Sequence, residues 1–294
     1  MANAFEVESL TKRFGDVLAL DDMTLAIPER RVVGLIGRNG SGKTTLMHHV
    51  VGLQLPTHGR CTTLDEPAAT LGSEQLAEIG VVWQESRFLD WMTVERHIRY
   101  VASFYRRWDR EREQRLLHEL ELEANKRVGT LTPGNAQKLG LILAVCHHPR
   151  LLLLDEPMSA LDPISRRQVL TFLLELLHED EVTTVISSHV LRDIEEIVEW
   201  IVCLDRGRVT VDCSLDSLQE RYSEWVVTSA RPLARTFEEP WILEQRTNNH
   251  KAHLMVRDAE DRIESFEGKY EVQVHSQPLN LERIFPLLHH RRNP

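Results

Sequence analysis

Short apolar, β-branched runs alternate with amphipathic stretches along most of this chain, a pattern that predicts an α/β fold with a mainly parallel central sheet. The runs at residues 31–36, 79–83, 151–154 and 182–187 read as buried strands. Between them, residues 45–52, 163–178 and 190–199 read as helices, with Pro163 in a first turn where a missing N–H costs little. Residues 5–27 differ: short alternating strands with turns at Gly15-Asp16 and Pro28-Glu29 predict a small antiparallel subdomain ahead of the parallel core. Residues 93–124 are helical and highly charged, the centre of an inserted helical subdomain spanning about 88–148. Its charges are expected to form a solvated face. A hairpin over residues 200–211, turned at Arg206-Gly207, closes the core near residue 215. Strand-like alternation at 224–229, 252–257 and 271–275 and an amphipathic helix at 281–289 then predict a small α+β appendix. Two domains are expected, 1–215 and 216–294.

Composition narrows the function classes. Hydrophobic residues make up 42% of 294, enough for a packed core. The formal net charge of -10 argues against nucleic acid as a partner, and the only dense basic run is Arg291-Arg292. No apolar run approaches the roughly 20 residues that span a bilayer, and no signal peptide is recognisable at the start. Cys61, Cys146, Cys203 and Cys213 are scattered without a C-x-x-C pair, as in a reducing cytoplasm. The histidine doublets His48-His49, His147-His148 and His289-His290 are poor chelates, because neighbouring residues on a helix diverge in direction. Structural or surface roles are expected for them.

The strand at 31–36 runs into Gly37-Arg38-Asn39-Gly40-Ser41-Gly42-Lys43-Thr44-Thr45, which fits G-x-x-x-x-G-K-[ST]. The glycines let successive N–H groups turn toward a phosphate. Lys43 brings a mobile positive charge to the β- and γ-phosphates, the Thr44 hydroxyl suits Mg²⁺, and the following helix adds its positive end. The loop specifies a nucleoside triphosphate without saying how its energy is used.

About 110 residues downstream, four leucines end in Asp155-Glu156. A buried strand emerging beside the phosphate loop would let Asp155 hold Mg²⁺ through water and Glu156 polarise an attacking water. Gln84 ends a strand between these motifs. Leu131-Thr132-Pro133-Gly134-Asn135 precedes a helix leading to the Asp-Glu strand, Ser159-Ala160-Leu161-Asp162 follows it, and Ser188-His189 follows the next strand. Over residues 4–215 this order resembles the nucleotide-binding subunit of ATP-binding cassette (ABC) transporters.

The resemblance implies a P-loop NTPase core and roles residue by residue. Phe14 matches the aromatic that stacks on adenine. Gln84 would touch Mg²⁺ and the attacking water, Glu156 would be the general base, and His189 would contact the γ-phosphate. Residues Leu131 to Asn135 would form the signature loop that meets ATP held by a second subunit, and Asp162 would face that subunit. The loop departs from the usual Leu-Ser-Gly-Gly-Gln: Pro133 removes one N–H donor and Asn135 is a shorter amide. The implied protein is an ATPase peripheral to the cytoplasmic face of a membrane. It would use ATP and Mg²⁺ and pair with an identical or different ATPase subunit and with an integral membrane permease. The stretch Leu279-Asn280-Leu281-Glu282-Arg283-Ile284-Phe285 resembles the closing motif of ATPases serving ABC-2-type exporters. An importer ATPase, or a soluble ABC ATPase outside transport, is the alternative; a small-molecule kinase would lack this order of motifs.

Overall fold

The computed structural model describes residues 2–179, 181–233 and 236–288, so His289-His290 and Arg291-Arg292 lie outside the described residues. The chain separates into two units, Met1–His189 with Glu196–Asp212, and Val190–Glu195 with Cys213–Pro294.

The first unit begins with β1 (Asn3–Phe14) and β2 (Val17–Pro28), paired antiparallel. Each runs 12 residues, longer than the short strands the alternation predicts. Register shifts along the pair break the strict period that would have marked one long strand. β4 (His58–Thr63) and β5 (Glu66–Pro67) complete this sheet in the order β2-β1-β4-β5. The second sheet holds β3 (Val32–Gly37), β6 (Ile79–Val82), β7 (Leu151–Asp155), β8 (Thr183–Ser187), β9 (Trp200–Asp205) and β10 (Arg208–Ser214), in the order β10-β9-β3-β8-β7-β6. The pairs from β9 through β3, β8 and β7 to β6 are parallel. Every residue of β3, β7 and β8 is buried, so β3 and the leucines of β7 are continuously apolar, while β8 also takes Thr183, Thr184 and Ser187 inside.

α1 (Lys43–Val50) packs between the sheets: Leu46, Met47 and Val50 share one core with Phe5, Leu25 and Ile27 of the antiparallel sheet and Leu153, Val185 and Val202 of the parallel one. That core clamps the loop between β3 and α1. After the short α2 (Ser73–Leu76), the inserted region supplies α3 (Val94–Ala102), α4 (Arg110–Glu119) and α5 (Pro133–Val145). Its charges are not all solvated. Arg112 and Glu113 are buried; Glu113 accepts from Trp108 Nε1 at 2.6 Å and from Arg110 at 2.7 Å, so the exposed Arg110 of the same helix matches the buried carboxylate. α6 (Pro163–Glu179) leads to β8.

The second unit holds α7 (Leu191–Glu195), α8 (Leu215–Glu220), β11 (Tyr222–Thr228), β12 (Ile242–Asn248), β13 (Lys251–Arg257), α9 (Ile263–Tyr270), β14 (Gln273–Pro278) and α10 (Leu281–Leu288). Its sheet is antiparallel, ordered β12-β13-β11-β14, over an aromatic core of Trp225, Phe237 and Phe266. The helix expected at 190–199 stops at Glu195. The chain must leave it there because Glu199 N–H already donates to Val32 O, at 2.9 Å, to start β9 beside β3.

Candidate active site

The apolar strand β3 delivers the chain to Gly37, and the loop to Gly42 turns it into α1. Gly42 caps that helix at φ 107°, where a Cβ would stand 2.8 Å from Ala19 O and Leu20 Cδ2. Only glycine allows both the left-handed turn and the close approach of β2. Lys43 is buried within the loop and donates from Nζ to Gly37 O at 2.8 Å and to Arg38 O at 3.4 Å. Burial lowers its pKa, opposed by the charges of Glu156 and Asp155. The Ser41 hydroxyl is buried with no hydrogen-bond partner among the described residues, a donor available to a phosphate oxygen.

β7 lies one strand removed from β3, across β8, and ends at Asp155. The Thr44 hydroxyl donates to Asp155 Oδ2 at 2.7 Å, and the Ser187 hydroxyl donates to Oδ1 at 2.6 Å. The buried carboxylate therefore rests on two hydroxyls, with no ion pair among the described residues. Glu156 follows in a left-handed conformation, φ 52°, a cost of about 1–2 kcal/mol for a residue with a Cβ. Its N–H donates to Ser187 Oγ at 2.9 Å. Its Oε2 lies 2.6 Å from His189 Nδ1 and accepts from the His189 backbone N–H at 3.3 Å.

One cleft of about 500 Å³ brings together Phe14, Asn39, Gly40, Ser41, Gly42, Lys43, Thr44, Thr45, Gln84, Asp155, Glu156 and His189. Gly37 and Arg38 form the loop behind it. Phe14 is about half exposed, with Lys12 Nζ 5.0 Å over its ring. Gln84 follows Trp83, whose ring meets His48 of α1 edge-on at 4.5 Å.

Leu131 to Asn135 and Asp162 do not line this cleft. Half-buried Leu131 leads into α5, and exposed Thr132 caps it, its hydroxyl accepting from Asn135 N–H at 3.2 Å. Pro133 is the first helical residue, a position with no N–H bond to lose. A Cβ on Gly134 would meet Ala160 O at 3.0 Å, so the loop packs closely on the segment after Glu156. Gln137 fastens that segment: Nε2 donates to Glu156 O and Ser159 Oγ, both at 3.1 Å, and Oε1 accepts from Ala160 N–H at 3.2 Å. Asp162 accepts from the Ile164 and Ser165 N–H groups, each at 3.0 Å, and from the Ser165 hydroxyl at 2.7 Å, bonds that lower its pKa. Ser187 and Gln137 are the residues that sequence reasoning missed. For Ser187 the available signal was a hydroxyl at a strand end, two positions before His189.

The ABC transporter family pattern matches residues 20–159. The chain is 30% identical over 275 residues to the bacitracin transport ATP-binding protein of Enterococcus faecalis, spanning 90% of this chain and 85% of that protein. It is 31% identical over 267 residues to the phosphonates import ATP-binding protein of Wolinella succinogenes, spanning 85% of this chain and 94% of that one. Among solved structures, the ATP-binding subunit of an ABC transporter superposes with a TM-score of 0.67 at 26% identity, covering 74% of this chain and 92% of that chain. A dimeric ATP-binding cassette in a post-hydrolysis state, bound to ADP and Pi, superposes with a TM-score of 0.64 at 26% identity, covering 72% and 98%.

Proposed function

The chain belongs to the ABC transporter ATP-binding family and is an ATPase, and from that premise we propose that it powers export through a separate membrane subunit. The cleft around the glycine loop is the ATP site. Phe14 stacks on adenine, and the loop N–H groups and the Ser41 hydroxyl receive phosphate oxygens. On binding, Lys43 Nζ exchanges its loop carbonyls for the β- and γ-phosphates. Mg²⁺ fits the donor set, because the Thr44 hydroxyl, the Asp155 carboxylate and the Gln84 amide are oxygen donors on one cleft and Asp155 has no competing ion pair among the described residues. When bound, the ion neutralises developing phosphate charge. Glu156 accepts a proton from the attacking water, and His189, already on Glu156 Oε2, orients that carboxylate and contacts the γ-phosphate.

The site is half of a whole. Residues Leu131 to Asn135 lie outside the lining of the chain's own phosphate loop cleft, which supports a role for them in meeting ATP on a second subunit, and Asp162 would face that subunit. ATP then joins two subunits, identical or different, and hydrolysis separates them. Among the described residues no helix is long and apolar enough to cross a membrane, which supports a separate permease and a peripheral place on the cytoplasmic face. Export is carried by one observation: the likeness to a bacitracin transport ATPase spans 90% of the chain. An importer ATPase is the second reading, favoured by the phosphonates import relative. Purification from detergent-solubilised host membranes separates the two. The expected companion is a six-helix membrane subunit alone; a solute-binding protein in the complex, or encoded beside the gene, would contradict export.

A further inference from the structure

We infer that Ser187 is a positioning residue that sets Asp155 and Glu156 together. The inference rests on the reading of those two carboxylates as the metal-side and water-activating groups. Ser187 is the last residue of β8, is fully buried, and stands in register with Asp155 of β7. Register partners on adjacent strands place their side chains on the same face, so hydroxyl and carboxylate meet directly. The hydroxyl donates its single proton to Asp155 Oδ1 at 2.6 Å and accepts the Glu156 N–H at 2.9 Å. With Thr44 on Oδ2, this makes a line from α1 through Asp155 and Ser187 to the backbone of Glu156.

Each bond does a separate job. The first stops the Asp155 carboxylate from rotating and leaves Oδ2 aimed at Thr44. The second satisfies the N–H of a residue held at φ 52°, the conformation that sends the Glu156 side chain toward His189. His189 itself lies two residues beyond Ser187 on the same chain segment. The end of β8 thus carries both the hydroxyl that sets the backbone of Glu156 and the imidazole that holds its carboxylate. Without the hydroxyl, Asp155 Oδ1 and Glu156 N–H are both left buried and unmatched.

The test compares the parent with Ser187→Ala, Ser187→Thr and Asp155→Asn. A fluorescent ATP analogue is titrated with and without Mg²⁺, and kcat and KM are measured on ATP. Ser187→Ala should bind the metal-free nucleotide like the parent, lose about 10–100-fold in the Mg²⁺-dependent gain in affinity or in kcat, and change KM less. Ser187→Thr, which keeps the hydroxyl, should restore most of both. Parental Mg²⁺ dependence and kcat in Ser187→Ala would overturn the inference. So would equal weakening with and without Mg²⁺, which marks a merely structural role. Asp155→Asn keeps the two failures apart: if it too retains parental Mg²⁺ dependence, the reading of Asp155 has failed rather than the role of Ser187. Thermal midpoints verify folding. Should Ser187→Ala not fold, Ser187→Cys replaces it, and its weaker S–H donor should give an intermediate loss; a parental Mg²⁺ dependence there would equally overturn the inference.

Discussion

His147 stacks on Tyr105, with ring centroids 4.2 Å apart, and sets its two ring nitrogens 3.3 Å from the carbonyls of Leu143 and Ile79. Burial pushes its pKa down from 6.5 to about 4, against carbonyls that favour the proton. Above pH 6.5 the ring is neutral in both folded and unfolded chains and contributes no pH dependence. Between 6.5 and about 4 the unfolded chain takes a proton that the folded site refuses, so stability falls with pH, by up to roughly 3 kcal/mol for this residue. Burial lowers His49 and His97 in the same direction. His147→Gln should therefore flatten the drop in thermal midpoint between pH 7 and pH 4.5; an unchanged slope would show that His147 does not carry it. Lys43, Thr44 and Asp155-Glu156 were legible because strand, loop and helix fix their neighbours within a few residues. Ser187 and Gln137 were not legible. Their bonds to Glu156 cross 31 and 19 residues and exist only because of strand register and helix placement.

At the scale of elements, β3 and β7 of the parallel sheet were visible because burial on both faces leaves them almost wholly apolar. β12 was not visible, since Ile-Leu-Glu-Gln-Arg-Thr-Asn is a half-exposed edge strand without alternation. The helix at 190–199 was overextended because its residues suit a helix, while the start of β9 beside β3 forbids one. α5 is the element on which the proposed partner site depends. Its cap at Thr132 and Pro133 at the first helical position show that the departures from Leu-Ser-Gly-Gly-Gln are compatible with a formed helix. They remove a donor from the loop without breaking it. Pro133→Gly combined with Asn135→Gln returns an N–H and a longer amide. The double variant should lower KM for ATP several-fold in steady-state assays, while the added chain entropy of glycine costs about 0.4–1 kcal/mol of stability in denaturant titration. An unchanged KM would remove this loop from the nucleotide.

For the whole molecule, an ATP site on one unit is joined in sequence to an antiparallel unit with its own aromatic core. The bacitracin transport relative matches 90% of the chain, whereas the two solved cassettes cover 74% and 72% of it. Phosphate loop, Asp155, Glu156 and His189 share one cleft, and the loop at 131–135 lies outside it. That separation supports the proposal that another subunit completes the cleft. Size measurement of Glu156→Gln by analytical ultracentrifugation, with and without Mg-ATP, tests it most directly. The variant should be monomeric without nucleotide and a stable dimer with Mg-ATP, because binding is intact and the proton acceptor that ends the closed state is gone. A Glu156→Gln protein that binds Mg-ATP yet stays monomeric, or that hydrolyses it at the parental rate, would contradict the account.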